Sequence, residues 1–489
     1  MGANDIDKKH KQYEKNLSKW KMIDDICDSE NLQNYLVALN PQDKSNENKI
    51  RNDQYFKRAV FAEIAGYTQS GMSGMVFRKW PILHVPKTLE YLAKNADGAG
   101  ISIYQQSQNV IRNMIRQGRG GLFVDYPKTE GGASKADLDS LKVFATIQRY
   151  EPAQIINWEQ SAVGAVVKLS KVVLAETVEE NGEDVDIRRE LALDYTESES
   201  GETRLVYVVR EWRYNDGGWY VHDESIPIDG EGNTWDEIPF MFLGSQTNSP
   251  DIDRAPMYPI CKINIGHYNN SASYEDSVFF VGQAQFWMSG ITQDHLDLLD
   301  KNEMYVGSGR LIGVPSGEQL GIAQAQPNML AKEAMADKIQ MAIGLGAMYI
   351  QPGSAVKTAA QVEGEQQTSH SVLSLIASNL SEAYTQCLHW CARYMNVKET
   401  EALEYTVSQD FVPVRADAQM LQAIAASWMQ GATPLSDFIA WQQKHGLIDP
   451  EKTTEEVIEE LGGINRMPDL DVDPDDEDDN EDDSEDEDN

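Results

Sequence analysis

Few of the features that mark an enzyme, a membrane protein or a secreted scaffold occur in this chain of 489 residues. Its four cysteines are too few for a disulfide framework and point to a reducing compartment. No run of about 18 apolar residues occurs, since "AVGAVVKLSKVVLA" is broken by Lys168 and Lys171. The opening "MGANDIDKKHKQYEKN" lacks the apolar core of a signal peptide, and Ile6 stands where a myristoylation motif carries Ser or Thr. A soluble protein made in a cytoplasm is expected. Basic residues are also scarce, with 42 Lys and Arg against 79 Asp and Glu and a net charge of −37. A stand-alone nucleic-acid binder needs a basic patch to displace counterions, so that class is disfavoured. Fifteen of the acidic residues lie between Asp469 and Asn489, and the rest of the chain still carries −22.

Catalytic motifs are missing too. The eight histidines form no H-x-x-x-H pair, and no G-x-S-x-G or phosphate-loop pattern occurs. In "CLHWC", Cys387 and Cys391 lie one helical turn apart, but zinc needs two more ligands and no second cysteine pair exists, so core packing is the better reading. Asp251 and Asp253, between Pro250 and Pro256, could hold a metal together with the carboxylates of "DHLDLLD" (294–300). Without a partner motif, a polar loop and a wet helix face explain them as well. The Arg and Gly cluster of "RQGRGGLFVDYP" (116–127) follows a helix and precedes a strand, which is the reverse of a phosphate loop. Gly118 is therefore read as the left-handed cap that ends the helix, with Arg116 and Arg119 complementing its last carbonyls. The acidic tail lacks the glycine-pinned spacing of a calcium loop and reads as disordered.

What is present has the length for two or three lobes and an α+β pattern. Residues 1–50 are polar and helical in pieces. Phe56, Val60, Ile64, Tyr67, Gly71 and Met75 predict one amphipathic helix, and Tyr104, Gln108, Ile111 and Ile115 another. Residues 140–262 read as an antiparallel sheet. "RLVYVVREWRY" and "GWYVHDES" meet across Asn215-Asp216-Gly217, and "VEENGEDVDIRRE" is a polar excursion between two further strands. Helical patterns follow from about Cys261 and over "MLAKEAMADKIQMAIGLGAMYI". The longest runs from Thr358 to Met395, roughly 57 Å at 1.5 Å per residue. Its stripe is Leu373, Ile376, Leu380, Tyr384, Leu388, Cys391 and Met395, and its first third is polar. After the strand "LEYTVS", helices are expected near 416–430, 434–445 and 450–461. Thr433 and Asp449 would cap the last two, ahead of Pro434 and Pro450.

The stretch "RNDQYFKRAVFAEIAGYTQSGMSGMVFRKWPILHVP…NADGAGISIYQQSQNVIRNMIRQGRGGLFVDYP" (51–127) resembles the start of a branch of tailed-bacteriophage portal proteins, the head-to-tail connector family. "KTAAQVEGEQQTSHSVLSLIASNLSEAYTQCLHWCARYM" looks like the long helix after the portal tunnel loop, and "FVPVRADAQMLQAIAASWMQGATPLSDFIAWQQKHGLI" is similar to the portal C-terminal helices. The resemblance implies an α+β, portal-like fold. A helical segment 1–50 would precede a wing at 51–262. Stem helices at 263–281 and 329–348 would flank a small mixed clip at 282–328, followed by a tunnel loop at 349–357. The long helix and a wing strand would fill 358–412, a helical crown 413–466, and an acidic disordered tail 467–489.

The resemblance further implies a non-enzymatic ring, usually of twelve subunits, at one capsid vertex, through which double-stranded DNA is packaged and ejected. Partners would be further copies of the chain, the terminase large subunit, a head-completion or tail adaptor and the major capsid protein, with no cofactor and no membrane. The place would be the virion, after synthesis in the host cytoplasm. Gln351, Pro352, Gly353, Ser354, Ala355, Val356 and Lys357 would face the DNA channel. Phe286, Trp287, Leu296 and Leu311 in the clip would be completed by neighbouring subunits or the adaptor. An acidic lumen would repel phosphate and keep DNA sliding.

Overall fold

The computed structural model describes residues 6–127, 143–197, 203–215, 217–282, 285–290, 319–323, 329–350, 371–409, 424–428, 433–444 and 455–457, with the single positions 293, 317, 411, 448, 452 and 453. It divides into two units, Met1–Phe411 and Val412–Asn489.

The first unit is α+β, a helical layer packed on antiparallel sheet. Helix α1 (Lys11–Cys27) starts where the His10 ring accepts from the Gln12 amide. It buries Tyr13, Trp20, Ile23 and Ile26 in the main core. The N-terminal segment, left without a role by the sequence pattern, is thus part of the central packing. The single helix expected from Phe56 to Met75 is two, α2 (Asn46–Arg58) and α3 (Ile64–Val76). The break is held from outside. Asn264 accepts from the Ala65 amide at 2.9 Å and donates to the Ala62 carbonyl at 2.8 Å, while the Ser271 hydroxyl meets both the amide and the carbonyl of Val60. These bonds satisfy backbone groups that a continuous helix would have paired internally.

Helix α4 (Ile103–Gln117) starts at the Ser102 cap and ends at Gly118, whose φ of 68° and ψ of 21° are left-handed, as expected. The chain then enters β2 (Arg119–Asp125), the middle strand of a sheet ordered β3 (Thr146–Tyr150), β2, β9 (Phe240–Gly244). The expected role of the two arginines is corrected. Arg116 donates two bonds to the Asp28 carboxylate, at 2.7 and 2.6 Å, and a third to Gln69. Arg119 points into the core, donates to the carbonyls of Ser249 and Asp251, and lies between the rings of Trp158 and Phe242. Arg116 thus finds a stronger acceptor than the helix end, and Arg119 takes the carbonyls of another loop instead.

A second sheet is an antiparallel meander of β4 (Ile155–Val163), β5 (Val166–Glu180), β6 (Glu183–Glu197), β7 (Thr203–Asn215) and β8 (Gly218–Ser225). The Asn215 to Gly218 closure forms the expected hairpin. The supposed polar excursion 178–190 is itself paired: β5 and β6 run to Glu180 and Glu183, and Asn181 and Gly182 turn with φ of 54° and 84°. An Asn-Gly pair at two positive φ values is the tight hairpin turn, and charged residues on both strands hid it.

Helix α7 (Val372–Tyr394, numbered after α5 and α6 below) crosses the main core with Leu373, Ile376, Leu380, Tyr384, Leu388 and Cys391 buried as the stripe predicts. It begins at the Ser371 cap, whose hydroxyl accepts from the Ser374 amide; residues 358–370 of the expected run lie outside the described residues. Cys387 and Cys391 are packed in that core as free thiols. After it, β12 (Glu404–Thr406) pairs with β1 (Ile82–His84).

In the second unit, α8 (Leu435–Lys444) follows Pro434, and Phe438 stacks on Trp428 with ring centres 5.0 Å apart. The helical turn at 455–457 is capped by Thr453, which exchanges bonds with Glu456; Asp449 and Pro450 lie outside the described residues. A Thr with a Glu three residues on satisfies two orphan amides at once.

Candidate assembly surface

Two helices and a ribbon form a hairpin of the first unit that carries several exposed apolar side chains. Helix α5 (Tyr258–Val281) has Pro259 in its first turn. Its inner half carries Cys261, Asn264 and His267 into buried positions. Its outer half carries Asp276, which receives Arg51 and Arg58 from α2, each with an N–H at 2.9 Å. The Arg58 guanidinium also lies 3.8 Å from the Phe279 ring centre, and that of Arg51 4.9 Å from Phe280. Tyr55, between the two arginines, pairs its hydroxyl with Ser273. Residues 46–58 therefore clamp the outer part of α5. A spacing of seven puts Arg51 and Arg58 on one helix face, and that was the available signal.

Beyond α5, β10 (Gln285–Ser289) pairs with β11 (Gln319–Ala323), and the chain returns in α6 (Met329–Ile350). Trp287 stands opposite Gly321, where a Cβ would lie 2.5 Å from the indole, so only glycine lets the ring cross the ribbon there. Helix α6 lies on α5, with the Lys338 methylenes against Gly266. His267 is buried beside them, its Nδ1 without a hydrogen-bond partner. Burial and the neighbouring Lys338 both hold its pKa below the ordinary value.

Apolar side chains remain open along this hairpin. Phe279, Phe280 and Trp287 are 40–46% exposed, while Leu330 is 77%, and Met341 and Ile343 are each 59%. Exposed large apolar side chains gathered on one hairpin are candidates for burial by a partner.

Of the sequence-predicted clip residues, Trp287 is exposed and Phe286 stands in β10 opposite Ile322; Leu296 and Leu311 lie outside the described residues. So do the predicted channel residues Gln351, Pro352, Gly353, Ser354, Ala355, Val356 and Lys357, the carboxylates of 294–300 and the acidic tail. Asp251 accepts from the Gln12 amide group at 2.7 Å. Asp253 accepts from the backbone amides of Gln246 and Thr247 at 2.6 and 3.0 Å. Asp253 thus closes its own loop, while Asp251 ties that loop to α1. Among the described residues no three His, Cys, Asp or Glu side chains gather as a metal site, and no helix is long and apolar enough to cross a membrane.

Residues 256–395, less than a third of the chain, match a family described as "Domain of unknown function (DUF4055)". This is the part that holds α5, the ribbon, α6 and α7. No curated protein matches. Among solved structures, the chain is similar to a protein in the "Virion of native gene transfer agent (GTA) particle", with 13% identity and a TM-score of 0.40 over 80% of this chain and 91% of the other. It is similar also to one in the "Neck of empty GTA particle computed with C6 symmetry", with 14% identity and a TM-score of 0.39 over 80% and 92%.

Proposed function

We propose that the protein is a portal-type subunit that assembles into a ring at one vertex of a phage-like capsid and conducts double-stranded DNA. The observation that carries this reading is the α5–β10–β11–α6 hairpin. Its apolar residues are uncovered in one chain and stand in the region where the sequence resemblance expects stem and clip. A ribbon of two strands is marginal by itself and gains from a neighbour that covers its indole. Contact between unlike faces of successive copies would close such subunits into a ring. The strongly acidic chain suits a conduit that must not grip phosphate. On this reading the protein is not an enzyme, and terminase, a tail adaptor and the major capsid protein dock on the assembled ring. Lys357 lines the channel in an otherwise repelling lumen.

Negative-stain microscopy of the full-length protein, with native mass spectrometry, tests the proposal. Rings with a central channel and one discrete subunit number are expected. A monomer at every concentration would remove the ring, and with it the conduit.

A further inference from the structure

Four buried thiols fall into two pairs of different kind. Cys387 and Cys391 share one face of one helix, so bridging them would constrain a segment that α7 already holds. Cys27 and Cys261 come from positions 234 residues apart, and their Sγ atoms lie 3.9 Å from each other. Cys27 is the last residue of α1, next to Asp28 and the left-handed Ser29, and Cys261 is in the first turn of α5. From the geometry we infer that Cys27 and Cys261 are a redox-modification site, closing to an intramolecular disulfide that staples α1 to α5. The inference stands apart from the portal reading.

A disulfide has its sulfurs about 2.05 Å apart, so the two atoms must approach by about 1.9 Å. Side-chain rotation at both residues supplies such a movement. Cys27 is the more accessible partner, at 8% exposure against none for Cys261. A small reagent reaches Cys27 when the end of α1 opens locally, against the Arg116–Asp28 bonds. The co-reactant is a low-molecular-mass disulfide. The Cys27 thiolate attacks one of its sulfurs, forms a mixed disulfide and releases one small thiolate. The Cys261 thiolate then attacks Cys27 Sγ and expels the second. Two protein S–H bonds give one S–S bond, two electrons reduce the reagent, and the two protons end on the two small thiols. The arrangement stays reduced in a cytoplasm and closes in an oxidising medium. It would add stability because it encloses the segment that builds both sheets.

The test uses the full-length native protein with oxidised glutathione, followed by denaturation, alkylation and peptide mapping without reduction. Alkylatable thiols should fall from four to two, the Cys27 and Cys261 peptides should appear joined, and the melting midpoint should rise by several degrees until a dithiol is added. Cys387→Ser should keep the joined peptide, and Cys261→Ser should lose it. If Cys261→Ser does not fold, the wild-type map decides alone. Four alkylatable thiols after exposure, a stable glutathione adduct on Cys27, or a bridge confined to Cys387 and Cys391 would each overturn the inference.

Discussion

Replacing Asp276 by Asn keeps the shape of the side chain and removes the charge that two arginines share. Asp276 is nearly buried, with its side chain 12% exposed, while Arg51 and Arg58 are 32% and 22% exposed. A hydrogen bond to a charged group contributes about 1.5–3 kcal/mol when dry. Hydration of the two guanidinium groups reduces that to roughly 1 kcal/mol each, and their contacts with Phe279 and Phe280 survive the substitution. The net loss should be about 2 kcal/mol, or a roughly 30-fold rise in the opening of α2 from α5. Hydrogen exchange reads this directly: amides of 50–58 should exchange about 30-fold faster by this estimate, while those of α7 and β5 to β7 keep their rates. Combining Asp276→Leu with Arg51→Met and Arg58→Met should recover most of the protection, because an apolar triad needs no desolvation of charge. Exchange in α2 within twofold of wild type in Asp276→Asn would refute the clamp.

Gly118→Ala should destabilise the first unit by about 2 kcal/mol or more, since the position has positive φ and the new Cβ would meet the Arg254 carbonyl at 2.8 Å; urea unfolding reads it. Burial lowers the pKa of His267, so the unfolded chain takes up its proton more readily than the folded one. Stability should therefore fall as pH drops below the unfolded value near 6.5, by at most about 1.4 kcal/mol per unit from this site. The His267→Gln variant should flatten the difference between denaturant midpoints at pH 7.5 and 5.5. Leu330→Glu with Met341→Glu should leave the melting of the single subunit unchanged and abolish rings in native mass spectrometry. Lys357→Glu should keep folding and rings but lower the DNase-protected DNA per particle, and wild-type packaging and retention would remove Lys357 from the channel.

Elements whose cause lies within a few residues were legible in the sequence. The Gly118 cap, the hairpin closing at Gly218, the helix Met329–Ile350 and the buried stripe of α7 all follow from backbone sterics or from periodicity. The Asn181–Gly182 turn was equally local but was missed, because its charged flanks resemble a loop. Trp287, expected from the sequence to be completed by a neighbour, is exposed in the single chain, whereas no local signal marks Asp276 as the centre of a clamp. Arg51 and Arg58 look like ordinary wet helix residues until α5 brings a carboxylate between them.

By itself, then, the sequence determined the acidic charge, the α+β pattern, several helix and strand boundaries and the thiol inventory. The tertiary structure alone decided that α2 and α3 are separate, because Asn264 and Ser271 offer their backbone better partners from some 200 residues away. It also decided that Arg119 turns inward, that α1 belongs to the core, and that Cys27 meets Cys261. Each depends on a partner that no local window contains. A backbone amide or a guanidinium takes whichever acceptor the folded chain brings within about 3 Å.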